Sequence, residues 1–271
     1  MGTSRGRITT WATNKLRPYD MIQEITTTGK FKGKDAFAFN IFGRRAGFTS
    51  ITVLNDVKEF DNGVALIPTL SNSTLDIISS SVNDTNTAGT GARKVKVTYI
   101  DVSNNMVQSA DINLNGTTLV TNVLTGVNEV LWMEVTELGS GTVAAGNIRL
   151  RINGGTVEVE QVTAGTNKSM SARFMIPTGY TGFIDSWDCE AVNNDQEVRL
   201  RVTMNCFTGE LSNIYHFMDS KSIATNSNSG HQPLSFIQIP ALARIKVSTI
   251  SAGTAAAVKC GTSFILVLLK N

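Results

Sequence analysis

Apolar and polar residues alternate in short runs along most of this chain. The clearest runs are residues 94–102 and 197–207. In the first run, Val95, Val97 and Tyr99 share one face, while lysine and threonine occupy the other. A period of two is the pattern of a β-strand with one buried face and one solvated face. Both runs are therefore predicted to be strands.

The final run, residues 263–269, is apolar on both faces. A strand buried on both sides reads as a continuous apolar run, and an uncovered apolar edge would promote aggregation. This run is expected to be a central strand, or an edge strand covered by another subunit.

Glycine- and asparagine-rich turns separate the runs. Asn115-Gly116 is a pair favoured in two-residue hairpins, and another hairpin is expected between residues 147–155 and 156–162. Strands recur every 8 to 12 residues, and no helical pattern of 10 to 15 residues lies between them. The predicted fold is all-β, with antiparallel β-sandwich or jelly-roll domains and an extended N-terminal arm.

Charge marks the domain organisation. Residues 1–45 contain nine cations and three anions, a net charge of +6, so the remainder carries −4 of the total of +2. Periodicity is weak in this segment, with at most a short helix around Tyr19 to Ile25. We predict an extended basic N-terminal arm over residues 1–47, a first β-sandwich domain over 48–164 and a second, jelly-roll-like β-sandwich over 165–271.

The arm combines cations with aromatic residues, which suits a binding role. Such a segment can meet phosphates and stacked bases, or an acidic protein surface with pockets for aromatic anchors. The cations are spread along 45 residues and the later aromatics are spaced like a packed strand, so a protein partner is favoured over nucleic acid. The predicted partner-binding residues are Arg5, Arg7, Trp11, Lys15, Arg17, Lys30, Lys32, Lys34, Arg44 and Arg45.

Residues that carry enzyme chemistry are scarce. His216 and His231 are the two histidines, and neither has a neighbouring nucleophile or a supporting acid in sequence. Carboxylates cluster around Trp187, but a solvated strand end explains them better than a glycosidase pair or a calcium loop. No enzyme activity, cofactor or metal is therefore predicted. The carboxylates concerned are Asp185, Asp188 and Glu190.

The glycine-rich stretches and the cysteines are also better explained by structural roles than by chemistry. Two glycine-rich stretches, residues 89–94 and 139–146, lack the spacing of phosphate- and dinucleotide-binding loops and are predicted to be ordinary loops. The cysteines, Cys189, Cys206 and Cys260, are expected to be reduced packing residues. The first residues lack a signal-peptide pattern and no apolar run is long enough for a membrane span, so no membrane association is expected.

Several segments of residues 70–190 resemble, in order and spacing, virion proteins of tailed bacteriophages. The matching pieces are Gly89–Arg93 (GTGAR), Leu114–Val120 (LNGTTLV), Gly146–Ile152 (GNIRLRI), Ala164–Ser169 (AGTNKS) and Met175–Ile184 (MIPTGYTGFI). The resemblance implies a non-enzymatic virion structural protein built from β-sandwich domains. It carries over no functional residues, because the shared pieces are turns and strands.

Two positions in the particle follow from this resemblance. The leading hypothesis is a capsid decoration, cement or head-fibre protein that the arm anchors to other virion proteins. The expected form is a homo-oligomer such as a trimer, assembled in the host cytoplasm and located in the virion. The alternative is a tail, collar or adsorption component that binds a host surface glycan, with Trp132 and Trp187 as candidate platforms.

Overall fold

The computed structural model describes residues 28–31, 34–48, 54–60, 65–192, 195–206, 208–229, 232–233, 238–251 and 258–271. Its strands pair antiparallel throughout these ranges, which confirms the predicted all-β class. No helix in the described ranges has the length and apolar character needed to cross a membrane. The strands are β1 (Lys30–Phe31), β2 (Lys34–Phe48), β3 (Asn55–Asp56), β4 (Ser73–Ser79), β5 (Ala92–Asp101), β6 (Val107–Asn113), β7 (Val120–Leu138), β8 (Ile148–Ile152), β9 (Glu158–Val162), β10 (Arg173–Met175), β11 (Tyr180–Ala191), β12 (Gln196–Met204), β13 (Leu211–Ile223), β14 (Ser227–Asn228), β15 (Gln232–Pro233), β16 (Gln238–Ile239), β17 (Arg244–Ser251) and β18 (Val258–Lys270).

Two of the sheets pack face to face as a sandwich. One has the order β1-β2-β18-β11, with β14, β15 and β16 paired to β11; the other has the order β10-β17-β12-β13, with β3 paired to β17. Alternate residues of each strand point into the space between the sheets, where they form one core. Its largest members include Trp187, Phe264 and Leu266 from the first sheet and Phe174 and Leu200 from the second.

Strand β18 is central in its sheet, as its apolar sequence predicts. It pairs with β11 on one side and with β2 on the other. Leu266 faces the sandwich core, while Val267 packs against Ala36 on the opposite face. Because both faces of β18 are covered, an apolar residue is stable at successive positions.

Strand β2 changes the prediction for the N-terminal region. The extended arm was expected to continue to residue 47, but Lys34–Phe48 forms a strand paired with β18 from Ala36 to Phe48. The sandwich therefore combines β2 and β3 with strands that follow residue 172. An apolar central strand needs a partner on each edge, and β2 supplies the second one. The short helix predicted around Tyr19 lies outside the described residues.

The third sheet lies between these parts of the sequence and has the order β6-β5-β7-β4-β8-β9. It curls into a half-barrel, so that one face encloses its own core; Leu75, Val97, Val130, Met133 and Leu150 are fully buried there. The sequence pattern predicts a sandwich over residues 48–164, whereas strands β4 to β9 of this part of the chain form one curled sheet. Curling one sheet buries the same alternating apolar residues without a second sheet.

The alternation predicted for β5 is confirmed, since Val95 and Val97 are buried while the lysines of β5 form ion pairs with glutamates of β7 on the outer face.

The prediction of a two-residue hairpin at Asn115-Gly116 is wrong. Strand β6 pairs with β5, and β7 pairs with β5 and β4. Gly116 does adopt a positive φ of 60°, but its N–H donates to the carbonyl of Asp84 at 2.7 Å. The turn docks on a distant loop instead of joining two paired strands. The hairpin expected after residue 147 is present as β8 and β9.

Candidate assembly surface

The outer edge of β2 is mostly unpaired within the described residues. Strand β1 pairs only with Lys34 and Asp35. Farther along, the Ala36 N–H donates to the Gly29 carbonyl at 3.1 Å and the Arg44 N–H to the Met170 carbonyl at 3.4 Å. An open strand edge presents backbone donors and acceptors that another chain can pair with.

Aromatic side chains accompany this edge. Phe37 is 47% exposed and Phe42 is 49% exposed. Between them, Phe39 packs on Phe174 with ring centroids 5.6 Å apart and on Trp132 at 6.4 Å. The sandwich thus fixes the inner ring in place, while the outer two rings offer apolar surface to a partner.

A groove of about 320 Å³ runs beside β2, between this strand and β7. Its apolar walls include Phe39, Ile41, Leu131 and Trp132, and Lys168 places its ammonium group 5.8 Å from the Trp132 ring centroid. An extended chain paired with β2 could insert a side chain here. We call the β2 edge, Phe37, Phe42 and this groove the assembly surface.

The predicted arm cations fall into three groups. Lys30, Lys34 and Arg44 are exposed close to β2. Arg45 is only 2% exposed, and its guanidinium donates to the Phe60 carbonyl and the Asn55 side chain, so it stabilises the fold and is not available to a partner. The predicted residues Arg5, Arg7, Trp11, Lys15, Arg17 and Lys32 lie outside the described residues.

The two candidate glycan platforms differ in their surroundings. Trp187 is fully buried and its Nε1–H donates to Asp219 at 2.8 Å, so it is a core residue and cannot serve as a platform. Lys221 lies over its ring at 4.3 Å. Trp132 is half-buried and lines the groove of the assembly surface.

The carboxylates near Trp187 do not converge on one point. Asp188 accepts hydrogen bonds from the backbone and hydroxyl of Ser263, whereas Asp185 is buried and Glu190 is exposed. The described residues contain no group of three His, Cys, Asp or Glu side chains that could hold a metal ion. His216 contacts Ser212 at 3.1 Å, and His231 lies outside the described residues.

The two glycine-rich stretches contact each other, which explains their composition. The Gly139 N–H donates to the Gly91 carbonyl at 2.8 Å, and the Gly141 N–H donates to the Thr90 carbonyl at 2.7 Å. A Cβ on Gly91 would collide with the Asp84 carboxylate. Residues 89–91 and 139–146 are loops that hold each other, in agreement with the sequence prediction, whereas residues 92–94 belong to β5.

Asp84 is the centre of that loop cluster. Its carboxylate is fully buried and accepts four hydrogen bonds: from the Ser79 hydroxyl at 2.6 Å and from the N–H groups of Ala92, Ala145 and Gly146 at 2.8 to 2.9 Å. Sequence inspection missed this residue, because an aspartate in a turn-rich segment usually faces solvent. The GTGAR piece of the phage resemblance thus surrounds a structural carboxylate.

Buried ion pairs join the curled sheet to the sandwich. Glu129 on β7 accepts from Arg173 on β10 at 3.0 Å and from Arg244 on β17 at 3.1 Å. Arg173 also donates to Glu160 at 3.0 Å. Complete burial raises the pKa of Glu160, although Arg173 acts in the opposite direction. The junction therefore contains buried charges, and each glutamate there is paired with at least one arginine.

A second buried group centres on Asp56. Its carboxylate accepts from Arg201 at 2.7 Å and from Lys246 at 3.3 Å. Burial acts to raise the pKa of Asp56, but the charges of Lys246 and Arg201 and the hydroxyl of Ser248 outweigh burial and hold the pKa below its usual value. No local motif marks these residues in the sequence, because the partners of Asp56 lie 145 to 192 positions away.

These features define an all-β protein of antiparallel sheets, in which the described residues leave the outer edge of β2 mostly unpaired. The sequence matches no protein-family model and no curated protein. Among solved structures, that of the infectious bursal disease virus Gt strain aligns at 11% identity and a TM-score of 0.24, over 92% of this chain and 78% of that chain.

The structure of the Gx strain of the same virus aligns at 10% identity and a TM-score of 0.26, over 87% of this chain and 71% of that one. The crystal structure of the infectious bursal disease virus VP2 subviral particle aligns at 11% identity and a TM-score of 0.22, over 93% and 77%. Likeness at this level does not establish a common fold or a common function.

Proposed function

We propose that this chain is a non-enzymatic virion structural protein of a tailed bacteriophage, namely a capsid decoration, cement or head-fibre protein. The observation that carries the proposal is the assembly surface, where half-exposed Phe37 and Phe42 lie on a strand whose outer edge the described residues leave mostly unpaired. Apolar side chains at an unpaired edge are a liability for a free protein and an asset for one that binds a lattice. The resemblance of residues 70–190 to phage virion proteins supports the same class.

Anchoring would combine two kinds of contact. A strand of a neighbouring virion protein would pair with β2, and its side chains would cover Phe42 and enter the groove beside Trp132. The exposed cations Lys30, Lys34 and Arg44 would meet acidic residues of the shell and speed encounter. A homo-oligomer such as a trimer would repeat the surface around a symmetry axis.

Incorporation into particles tests this proposal. Phe42→Asp places a charge on the assembly surface, whereas Val82→Asp places one on an exposed loop of the curled sheet, where the side chain is 68% exposed. Both variants should keep the wild-type circular dichroism spectrum, because both sites are at the surface. Particles whose genome encodes this chain should be purified by sedimentation and probed for each variant.

We expect Phe42→Asp to reduce incorporation at least tenfold and Val82→Asp to leave it unchanged. Wild-type incorporation of Phe42→Asp would show that the assembly surface is not the anchor. An equal loss of incorporation for both variants would show that the particle tolerates no added charge on this chain. The proposal that β2 is the anchor would then lack support.

A further inference from the structure

A second cavity, distinct from the assembly surface, lies where the sandwich meets the curled sheet. Its volume is about 470 Å³, within the range of roughly 300 to 1,000 Å³ that ligand pockets occupy. Strand β13, the β5–β6 turn and Asn128 near the middle of β7 contribute to its walls. Its polar lining includes Asn105, Asn128, Ser212, Asn213, Tyr215 and Arg244.

Tyr215 provides a hydrogen-bonding group that the described residues leave unused. Its hydroxyl oxygen is buried and makes no hydrogen bond with any of them. The charged groups of Arg201 and Lys246 lie 5.0 and 5.1 Å from the centroid of its ring. An unpaired buried hydroxyl costs about 1–3 kcal/mol, and a ligand oxygen that reaches it from the cavity would relieve this cost.

The one charge of the described lining is paired with a carboxylate outside the cavity. Arg244 is that charged residue: its Nε donates to Glu129 at 3.1 Å, and its Nη2 donates to the carbonyls of Leu70 and Asn128. The Asn128 amide donates in turn to Asn105 at 2.8 Å. A cavity with a compensated charge does not favour an ion over a neutral molecule.

Backbone conformation at the cavity is unusual. Leu242 has a φ of 68° and Asn105 a φ of 52°. Asparagine often adopts this left-handed conformation, but leucine rarely does, and it costs of order 1–3 kcal/mol. The Leu242 N–H donates to the Ile176 carbonyl at 2.8 Å, which holds this conformation at the rim. Retained strain of this kind is concentrated at binding sites.

We propose that this cavity binds a neutral carbohydrate of one or two sugar rings. Amide and hydroxyl groups can pair with sugar hydroxyls as donors and acceptors. The apolar side chains of Val102, Leu211 and Leu242 can pack on the C–H face of a ring. This site differs from both tryptophans of the sequence analysis, and it does not depend on whether the chain lies on the head or on the tail.

The test begins with the full chain on an array of neutral and anionic glycans, followed by titration calorimetry with the strongest neutral hit. Tyr215→Phe removes only the hydroxyl, and Asn213→Ala removes one amide at the exposed rim. Tyr180→Phe is the matched control, because Tyr180 contacts Phe37 near the assembly surface and not this cavity.

We expect a neutral glycan to bind, with Kd raised at least tenfold by Tyr215→Phe and by Asn213→Ala and unchanged by Tyr180→Phe. Binding of anionic glycans alone, no binding on the array, or equal Kd values for the wild type and both cavity variants would overturn the proposal. Particle incorporation should be unchanged in both cavity variants, so failure of this site is distinguishable from failure of the assembly surface.

Discussion

Asp84 illustrates how one residue can organise a loop cluster without any role in catalysis. Replacing it by alanine removes four accepted hydrogen bonds and leaves three backbone N–H groups of residues 92, 145 and 146 without their partner. Each unsatisfied buried donor costs about 1–3 kcal/mol, with partial relief by water. We expect Asp84→Ala to lower the free energy of unfolding by at least 3 kcal/mol in urea titrations.

The matched control is Asp111→Ala, since Asp111 is exposed on β6. Surface substitutions of this kind change stability by about 0.5 kcal/mol or less. If Asp84→Ala is as stable as Asp111→Ala, the proposed structural role of Asp84 is wrong.

The cysteines give a second prediction at this scale. Burial raises the pKa of Cys189 and of Cys260 to about 12, so both thiols stay protonated and inaccessible at pH 8. Burial raises the pKa of Cys206 as well, but this side chain is only half-buried. A thiol reagent at pH 8 should therefore modify one cysteine in the folded protein and three in urea. Rapid modification of three thiols without urea would refute the burial of Cys189 and Cys260.

These thiols also make stability depend on pH. Their pKa is higher in the folded protein than in the unfolded chain, where it is near 9. Stability is therefore retained below pH 9 and lost as the pH rises from 9 toward 12, because the unfolded chain loses these protons first. The double variant Cys189→Ser, Cys260→Ser should lose this component.

At the scale of elements, β2 decides whether the N-terminal region is an arm or part of the sandwich. Gly43 lies so close to Ala172 that a Cβ at position 43 would overlap the backbone and the Cβ of Ala172. We expect Gly43→Val to destabilise the protein by roughly 1–3 kcal/mol, as overpacking does. Gly155→Ala, where a Cβ has ordinary contacts, should be close to wild type. Equal stability of the two variants would contradict the docking of β2.

Sequence patterns predicted the strands better than their partners. Alternation in β5 and in β12 and the double-sided apolar run of β18 identify these strands, because burial of one or both faces is a local property of the sequence. Pairing is not local: β18 pairs with β2 more than 200 residues earlier. The prediction of a hairpin at Asn115-Gly116 failed for the same reason. The Gly116 N–H donates to the carbonyl of Asp84, which lies in another loop, and a local sequence pattern does not reveal this contact.

The candidate sites were predictable only in part. The exposed cations and phenylalanines of residues 30–45 are visible in the sequence as a basic, aromatic segment. The sequence does not distinguish Arg45 from the exposed cations, because Arg45 is buried by its contacts with Asn55 and Phe60, which lie farther along the chain. The cavity at Tyr215 was not predictable. Its lining comes from seven separate stretches, and none of them contains a motif.

At the scale of the whole molecule, the sandwich and the curled sheet should unfold together, because Glu129 links them through Arg173 and Arg244. Removing one member of a buried ion pair costs about 3–5 kcal/mol. We expect Glu129→Ala to lower the free energy of unfolding by that amount in urea. Glu137→Ala, on the same strand but in an exposed pair with Lys94, should cost less than about 1 kcal/mol. Equal losses would show that the buried pairs do not stabilise the junction.

We propose a scaffold with one surface for assembly and a separate cavity for a neutral ligand. The decisive test of the claim that the chain is a virion structural protein is cryo-electron microscopy of particles that carry a tagged copy of this chain. We predict extra density distributed over the head lattice. Density confined to one vertex or to the tail would favour the adsorption alternative, and particles without any added density would contradict the claim.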